Sequence, residues 1–226
     1  MTRVYLIAGL GADRRFFKHV KLPAGFEKVG TSIIIPHKND TVASYAQKLI
    51  NQYHIAPGDI VWGDSLGGMI AVEIAKQVQL HKIILTSTIK TDSEAPWYFK
   101  IFRKLPVYEL TPAKLITKLS AFVKPMMHGL PADDIDTIKS MLQNSSPEFL
   151  KWGAQAALNW RNAVVPDNLY HIIGDKDLVF PYQNIKNPTA VIKGGTHIMV
   201  FDRADEINQL LAGILQNHEI TRSILP

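Results

Sequence analysis

The stretch Gly63-Asp64-Ser65-Leu66-Gly67 has the form G-x-S-x-G and lies between an apolar run and a helical pattern, a junction that restricts the folds open to this chain. Ile60 to Trp62 read as a short strand. From Met69 onward the apolar positions become Ile70, Ala71, Ile74, Ala75 and Val78, which is helical spacing. A serine at the tip of such a strand–turn–helix junction is held in strained backbone, with strand and helix passing close on either side. Only small residues fit two positions away. Gly63 and Gly67 meet that need, and Gly68 lets the helix begin close against the sheet. The turn exposes the Ser65 hydroxyl. The Leu66 amide opens the helix, so it is an unpaired donor at the positive end of the helix dipole, where an oxyanion can be held.

Two other readings of the same letters are weaker. A nucleophilic Asp64 would need small residues at Trp62 and Leu66, and neither is small. The letters G-D-S-L also spell the signature of another serine hydrolase class, in which an aspartate stands three residues before the histidine. No histidine here has one; His197 has Gly194 at that offset.

At 226 residues and 46% hydrophobic, the chain suits one α/β domain with a sizeable core and a small insertion. Cysteine is absent, which removes disulfides, thiolate metal sites and cysteine nucleophiles together and is compatible with a reducing compartment. Val4 to Ala8 is too short to cross a membrane and reads as a first strand, so a cytoplasmic protein without a membrane span is expected. The net charge of +5 is modest and no Lys/Arg run interleaves with aromatics, so no nucleic-acid partner is expected.

The first strand runs into Gly9-Leu10-Gly11-Ala12-Asp13. Arg14 stands where the third glycine of G-x-G-x-x-G would be, which weakens a dinucleotide reading. The alternative is that the glycines let the backbone approach Ser65, so that the Leu10 amide becomes a second oxyanion donor. Ser32 to Ile35 reads as a second strand ended by Pro36. Thr41 to Tyr53 reads as an amphipathic helix capped by Asp40 or Asn39, with Val42, Tyr45, Ala46, Leu49 and Ile50 inward. Lys82 to Ser87 is another strand, and alternating strands and helices imply a parallel sheet covered on both faces.

From about residue 91 to 144 the rhythm changes to short helical stretches separated by prolines, the pattern of a helical cap inserted into a core of residues 1–90 and 145–226. Lys90, Lys100, Arg103, Lys104, Lys114, Lys118 and Lys124 outnumber the acidic residues over 90–130, as a charged outer lid face would, with Trp97, Phe99, Ile101 and Phe102 inward. Met126 and Met127 suit either an adaptable apolar pocket or plain core. Pro147 to Trp160 reads as a helix. Leu169 to Ile173 is a strand leading to Gly174-Asp175-Lys176-Asp177, Thr189 to Ile192 a strand leading to Gly194-Gly195-Thr196-His197, and Arg203 to Leu215 a closing helix. In a parallel sheet these strand ends share one edge with Ser65.

A serine hydroxyl becomes a nucleophile when an imidazole accepts its proton, and the imidazole needs a carboxylate on its other nitrogen. Ser65, His197 and Asp177 supply the three groups. Of the eight histidines, only His197 follows a late strand and a glycine pair; His171 lies within a strand and is expected to be packed. With Ala8-Gly9-Leu10-Gly11, the serine junction, Gly174 to Asp177 with Pro181, and Gly194 to His197, the chain resembles a compact member of the α/β-hydrolase superfamily. That resemblance implies Ser65 as nucleophile, His197 as base then acid, Asp177 three residues past the strand-end glycine as the orienting acid with Asp175, which also suits a turn, as the alternative, and Leu10 and Leu66 as oxyanion amides. Many relatives carry histidine where this chain has Ala8. It further implies a three-layer fold with a mainly parallel sheet of about six strands, no cofactor and no metal, and hydrolysis of a small or medium ester or related acyl bond. Acyl transfer, thioester or carbon–carbon cleavage, cyanohydrin cleavage and a silent ligand-binding module are the rival functions.

Overall fold

The computed structural model describes residues 1–104, 124–217 and 224–225 of the chain. Six strands, β1 (Thr2–Ile7), β2 (Phe26–Gly30), β3 (Ile60–Asp64), β4 (Lys82–Thr86), β5 (Leu169–Gly174) and β6 (Ala190–Ile192), form one parallel sheet. A two-residue strand, β7 (Ile224–Leu225), extends it at one edge. The order is β2-β1-β3-β4-β5-β6-β7 and every pairing is parallel. The helices are α1 (Val42–Tyr53), α2 (Leu66–Ala75), α3 (Trp97–Lys104), α4 (Ala132–Asn144), α5 (Pro147–Asn159), α6 (Met199–Asp202) and α7 (Ala204–Leu215).

Successive strand residues point to opposite faces, and both faces of the sheet centre are covered, so the inner strands are mostly apolar. Tyr5, Ile7, Val61, Ile83, Leu85 and Ile173 pack with α1, α2 and α5 on one side. Val4, Leu6, Ile60, Trp62, Ile84 and Ile172 pack with Phe16, Phe17, α6 and α7 on the other. The chain changes direction across the sheet between β1 and β3, whose C-terminal ends therefore flank the crevice where such sheets bind ligands. Gly9 follows β1 and Ser65 follows β3 at that point.

The second strand and the cap of α1 are corrected. The second strand is Phe26–Gly30, whose Thr2-to-Leu6 partners lie on β1 in register Thr2↔Phe26 to Leu6↔Gly30; it is an edge strand with two exposed residues, so its sequence lacks an apolar signature. Ser32 to Ile35 is no strand. Its amides are satisfied by tyrosine hydroxyls of α1, Ser32 N–H by Tyr53 at 2.6 Å and Ile34 N–H by Tyr45 at 3.0 Å. The cap of α1 is Thr41, which exchanges side-chain bonds with Ser44, while Asp40 accepts from His37 N–H and Lys48.

On α3, only Phe99 of the four residues expected inward is buried; Trp97 is 73% exposed and Ile101 and Phe102 are more exposed than buried positions allow. The reason is docking through one side: Tyr98 OH donates to Val179 O and the Phe99 ring meets Phe180 at 5.9 Å. Lys90 is no outer-face charge. It is buried and donates to Glu94 Oε1 at 2.6 Å. Lys114 and Lys118 lie outside the described residues. No helix among the described residues is long and apolar enough to cross a membrane.

Candidate active site

Ser65 has φ 53° and ψ −120°, a backbone conformation that costs a non-glycine residue about 1–3 kcal/mol. Anchors on both sides hold it there. Ser65 N–H donates to Thr86 O at 3.0 Å, and Thr88 Oγ1 donates to Ser65 O at 2.7 Å. The flanking glycines are required by contact: a Cβ on Gly63 would lie 2.1 Å from Gly67 O, and one on Gly67 would lie 2.0 Å from Ile7 O. The β1 loop passes directly over the serine, since a Cβ on Gly9 would fall 2.7 Å from Ser65 Cβ and 3.3 Å from Ser65 Oγ. Leu10 and Leu66 both line the cavity beside Ser65, which places the two residues expected to supply oxyanion amides at the same spot.

His197 and Asp177 arrive from the ends of β6 and β5. Those loops interlock: a Cβ on Gly174 would meet Gly195 O at 2.1 Å, Lys176 N–H donates to Gly195 O at 3.0 Å, and Asp175 Oδ1 accepts from Gly194 N–H at 2.6 Å. Asp175 is thus a loop pin. Asp177 is fully buried at its side chain, and its Oδ1 accepts from the amides of Val179 and Phe180 at 2.8 and 2.9 Å. Both carboxylate oxygens face His197 Nδ1, at 3.1 and 2.9 Å, and His197 Nε2 lies 3.1 Å from Ser65 Oγ. A carboxylate has no proton to give, so Nδ1–H is the donor and Nε2 is left to accept from the serine. A brace that sequence reading missed lies next to the imidazole: Thr196 Oγ1 donates to Asp202 Oδ2 at 2.5 Å and accepts from Ile198 N–H at 3.2 Å.

Burial disfavours the imidazolium of His197, but the charge and hydrogen bond of Asp177, with Asp64 adding to them, hold its pKa above the ordinary value. Asp64 is buried, and loss of solvent pushes its carboxyl up to about 7, against the opposing effects of His197 and of the 2.7 Å bond from Thr86 Oγ1. The sequence marked Asp64 only as a poor nucleophile. The signal that sets it apart, its place on the wall of the site, is tertiary.

Two cavities open on Ser65 and His197. One, of about 340 Å³, is lined by Leu66, Met69, Phe102, Met126, Gly153 and Phe180 among others. The other, of about 60 Å³, is bounded by the Gly9–Ala12 loop, Phe16, Asp64 and α4. Met126 and Met127 both belong to the core, and Met126 also lines the larger cavity. A cleft of about 500 Å³ between the start of α1 and α5 shares no lining residue with either. Among the described residues, no group of three His, Asp or Glu is placed to hold a metal ion. With an imidazole and a carboxylate in line with one hydroxyl, the arrangement can activate that hydroxyl for attack on a carbonyl carbon.

No protein-family model matches the sequence, and no curated protein matches it. Solved structures do match in shape. A thermophilic esterase from Thermogutta terrifontis superposes with a TM-score of 0.72 at 16% identity, covering 98% of this chain and 91% of the esterase. A bromoperoxidase from Bacillus anthracis gives 0.72 at 15%, covering 95% and 92%. An esterase from Exiguobacterium antarcticum gives 0.68 at 16%, covering 93% and 90%. The chain has the α/β-hydrolase fold.

Proposed function

We propose that this α/β-hydrolase-fold protein is a cofactor-independent serine hydrolase that cleaves a small or medium carboxylic ester, or a related acyl bond, through an acyl-enzyme. The observation that carries the reading is the unbroken path from Ser65 Oγ to His197 Nε2, 3.1 Å, and from His197 Nδ1 to Asp177, 2.9 Å, at the mouth of an apolar cavity. Ser65 Oγ attacks the carbonyl carbon as its proton passes to Nε2, and Asp177 stabilises the imidazolium. The Leu66 amide, at the first turn of α2, and the Leu10 amide stabilise the oxyanion. Collapse breaks the acyl C–O bond, and His197 returns the proton to the departing alcohol. Water, deprotonated by His197, then releases the acid and restores Ser65. The names of the structural neighbours, esterases among them, agree with this chemistry without specifying it.

Ser65→Ala tests the reading. The variant is expected to fold as the wild type, to lose p-nitrophenyl ester hydrolysis by about 10⁴-fold or more, and to lose fluorophosphonate labelling. Labelling that persists at another residue, or ester turnover that is unchanged, rejects Ser65 as nucleophile. A wild-type protein that binds esters without turning them over would instead be a binding module.

A further inference from the structure

Resting on the ester-cleaving reading, we infer that the substrate is an uncharged, asymmetric ester: one side of the ester bond is short, and the other is an apolar chain of medium length. The two cavities that open on the reacting groups carry this inference. Both are lined by Leu10, Ser65 and His197, so an ester whose carbonyl sits at Ser65 must send one half into each. They differ greatly in size. One is about 60 Å³ and the other about 340 Å³, so the two halves of the ester must differ in length.

The wall between them is Leu142, the one residue of α4 that borders both arms. It is buried and packs against the loop after β1: a Cβ on Gly11 would fall 2.8 Å from its Cδ2, and Gly11 has φ 78°, which favours glycine. Ile138, Met141, Phe16 and Ile198 line the small arm. The large arm runs along α5, where Gly153, Ala154 and Ala157 keep it open because they have almost no side chain. Among its described lining residues there is no Lys, Arg, Asp or Glu, and the hydroxyl of Tyr98 is already committed to Val179 O. A charged chain placed there would lose its hydration with nothing in return.

The inference is tested with methyl octanoate, octyl acetate and hexyl hexanoate, which share an uncharged apolar character and differ in where the bulk lies. At least one of the first two is expected to exceed hexyl hexanoate in kcat/KM by about tenfold or more, since several methylenes that do not fit the small arm lose their burial there. Which of the two wins tells whether the large arm takes the acyl chain or the alcohol. Leu142→Ala opens the wall and should shrink this ratio. Ala157→Leu, which removes no core packing, should lower turnover of the long ester relative to methyl butanoate, and it serves where Leu142→Ala fails to fold. Hexyl hexanoate cleaved as well as the asymmetric esters, or ratios unmoved by both variants, overturns the inference while fluorophosphonate labelling at Ser65 leaves the hydrolase reading standing. Absence of both labelling and ester turnover overturns that reading itself.

Discussion

Asp177 does two separable jobs through its two oxygens. Oδ1 accepts from the Val179 and Phe180 amides and fixes the loop, while Oδ2 makes the shorter of the two contacts with His197 Nδ1. In Asp177→Asn the remaining carbonyl oxygen can keep the loop bonds, but the amide nitrogen would donate to Nδ1. That forces the proton onto Nε2, which then cannot accept from Ser65. The expected result is a loss of kcat of about 10⁴-fold with little loss of stability. The pH profile gives a second check. His197 must be neutral to act as base, and its pKa is held above the ordinary 6.5 chiefly by Asp177 acting against burial. The acid limb of kcat/KM in the wild type should therefore lie above 6.5, and the residual activity of Asp177→Asn should show that limb moved to lower pH. A limb that stays in place would mean that Asp177 does not stabilise the cation.

Glycines at two elements fail differently when given a Cβ. On Gly67, at the start of α2, the added carbon meets the backbone of Ile7 and Ala8 at 2.0 to 2.9 Å. Backbone in the sheet centre has no rotamer to yield, so Gly67→Ala should destabilise by several kcal/mol, or ~3 or more, seen as insoluble expression or a lowered denaturation midpoint. Gly153 lies inside α5, with no positive φ to explain it, where alanine is ordinarily favoured by about 1 kcal/mol. Its added carbon meets the ends of two flexible side chains, Leu10 Cδ1 at 2.5 Å and Leu66 Cδ2 at 2.8 Å. Gly153→Ala should keep a thermal midpoint within a few degrees of wild type yet lose kcat in the proposed ester hydrolysis, because the shifted leucines carry the amides proposed to hold the oxyanion. Normal kcat in that variant would show that α5 does not set their position.

Across the whole molecule, a buried charged network joins segments that are distant in sequence. Lys90 Nζ donates to Glu94 Oε1 and to Lys186 O, and approaches His171 Nδ1 at 3.4 Å; Glu94 also accepts from the amides of Lys90 and Lys186 at 2.9 Å each. It ties the exit of β4 to β5 and to the loop beyond it. His171, packed in its strand as its sequence setting suggested, donates from Nε2 to Thr88 O at 3.1 Å, leaving Nδ1 to accept from Lys90. Burial first, and the Lys90 charge second, lower its pKa to about 4, with Glu94, Thr88 O and Asp177 opposing. A histidine kept neutral in the fold binds fewer protons than in the unfolded chain between the two pKa values. Its contribution is therefore complete above 6.5 and is lost as pH falls toward 4, by on the order of 3 kcal/mol. Urea denaturation of wild type and His171→Gln at a series of pH values should show the wild type losing ground over that window. Parallel curves would contradict a neutral His171.

The serine junction, its glycines and the Gly-Gly-Thr-His stretch were legible in the sequence because each is a constraint on neighbouring residues: a sharp turn admits only small side chains close by, whatever the rest of the chain does. The strand-then-loop setting of Ser65, Asp177 and His197 was readable from the apolar runs, whereas the choice of Asp177 followed from the resemblance to the α/β-hydrolase superfamily; the structure brings the three side chains into contact. The edge strand Phe26–Gly30 was not readable, since an edge strand needs no apolar pattern and the apolar run at residues 32–35 finds its partners in the hydroxyls of α1. Nor were the burial of Lys90, the seat of Gly153 on Leu10 and Leu66, or the wall made by Leu142. Each depends on which surfaces meet when helices from one part of the chain settle on strand ends from another, and the sequence around those residues carries no trace of the encounter.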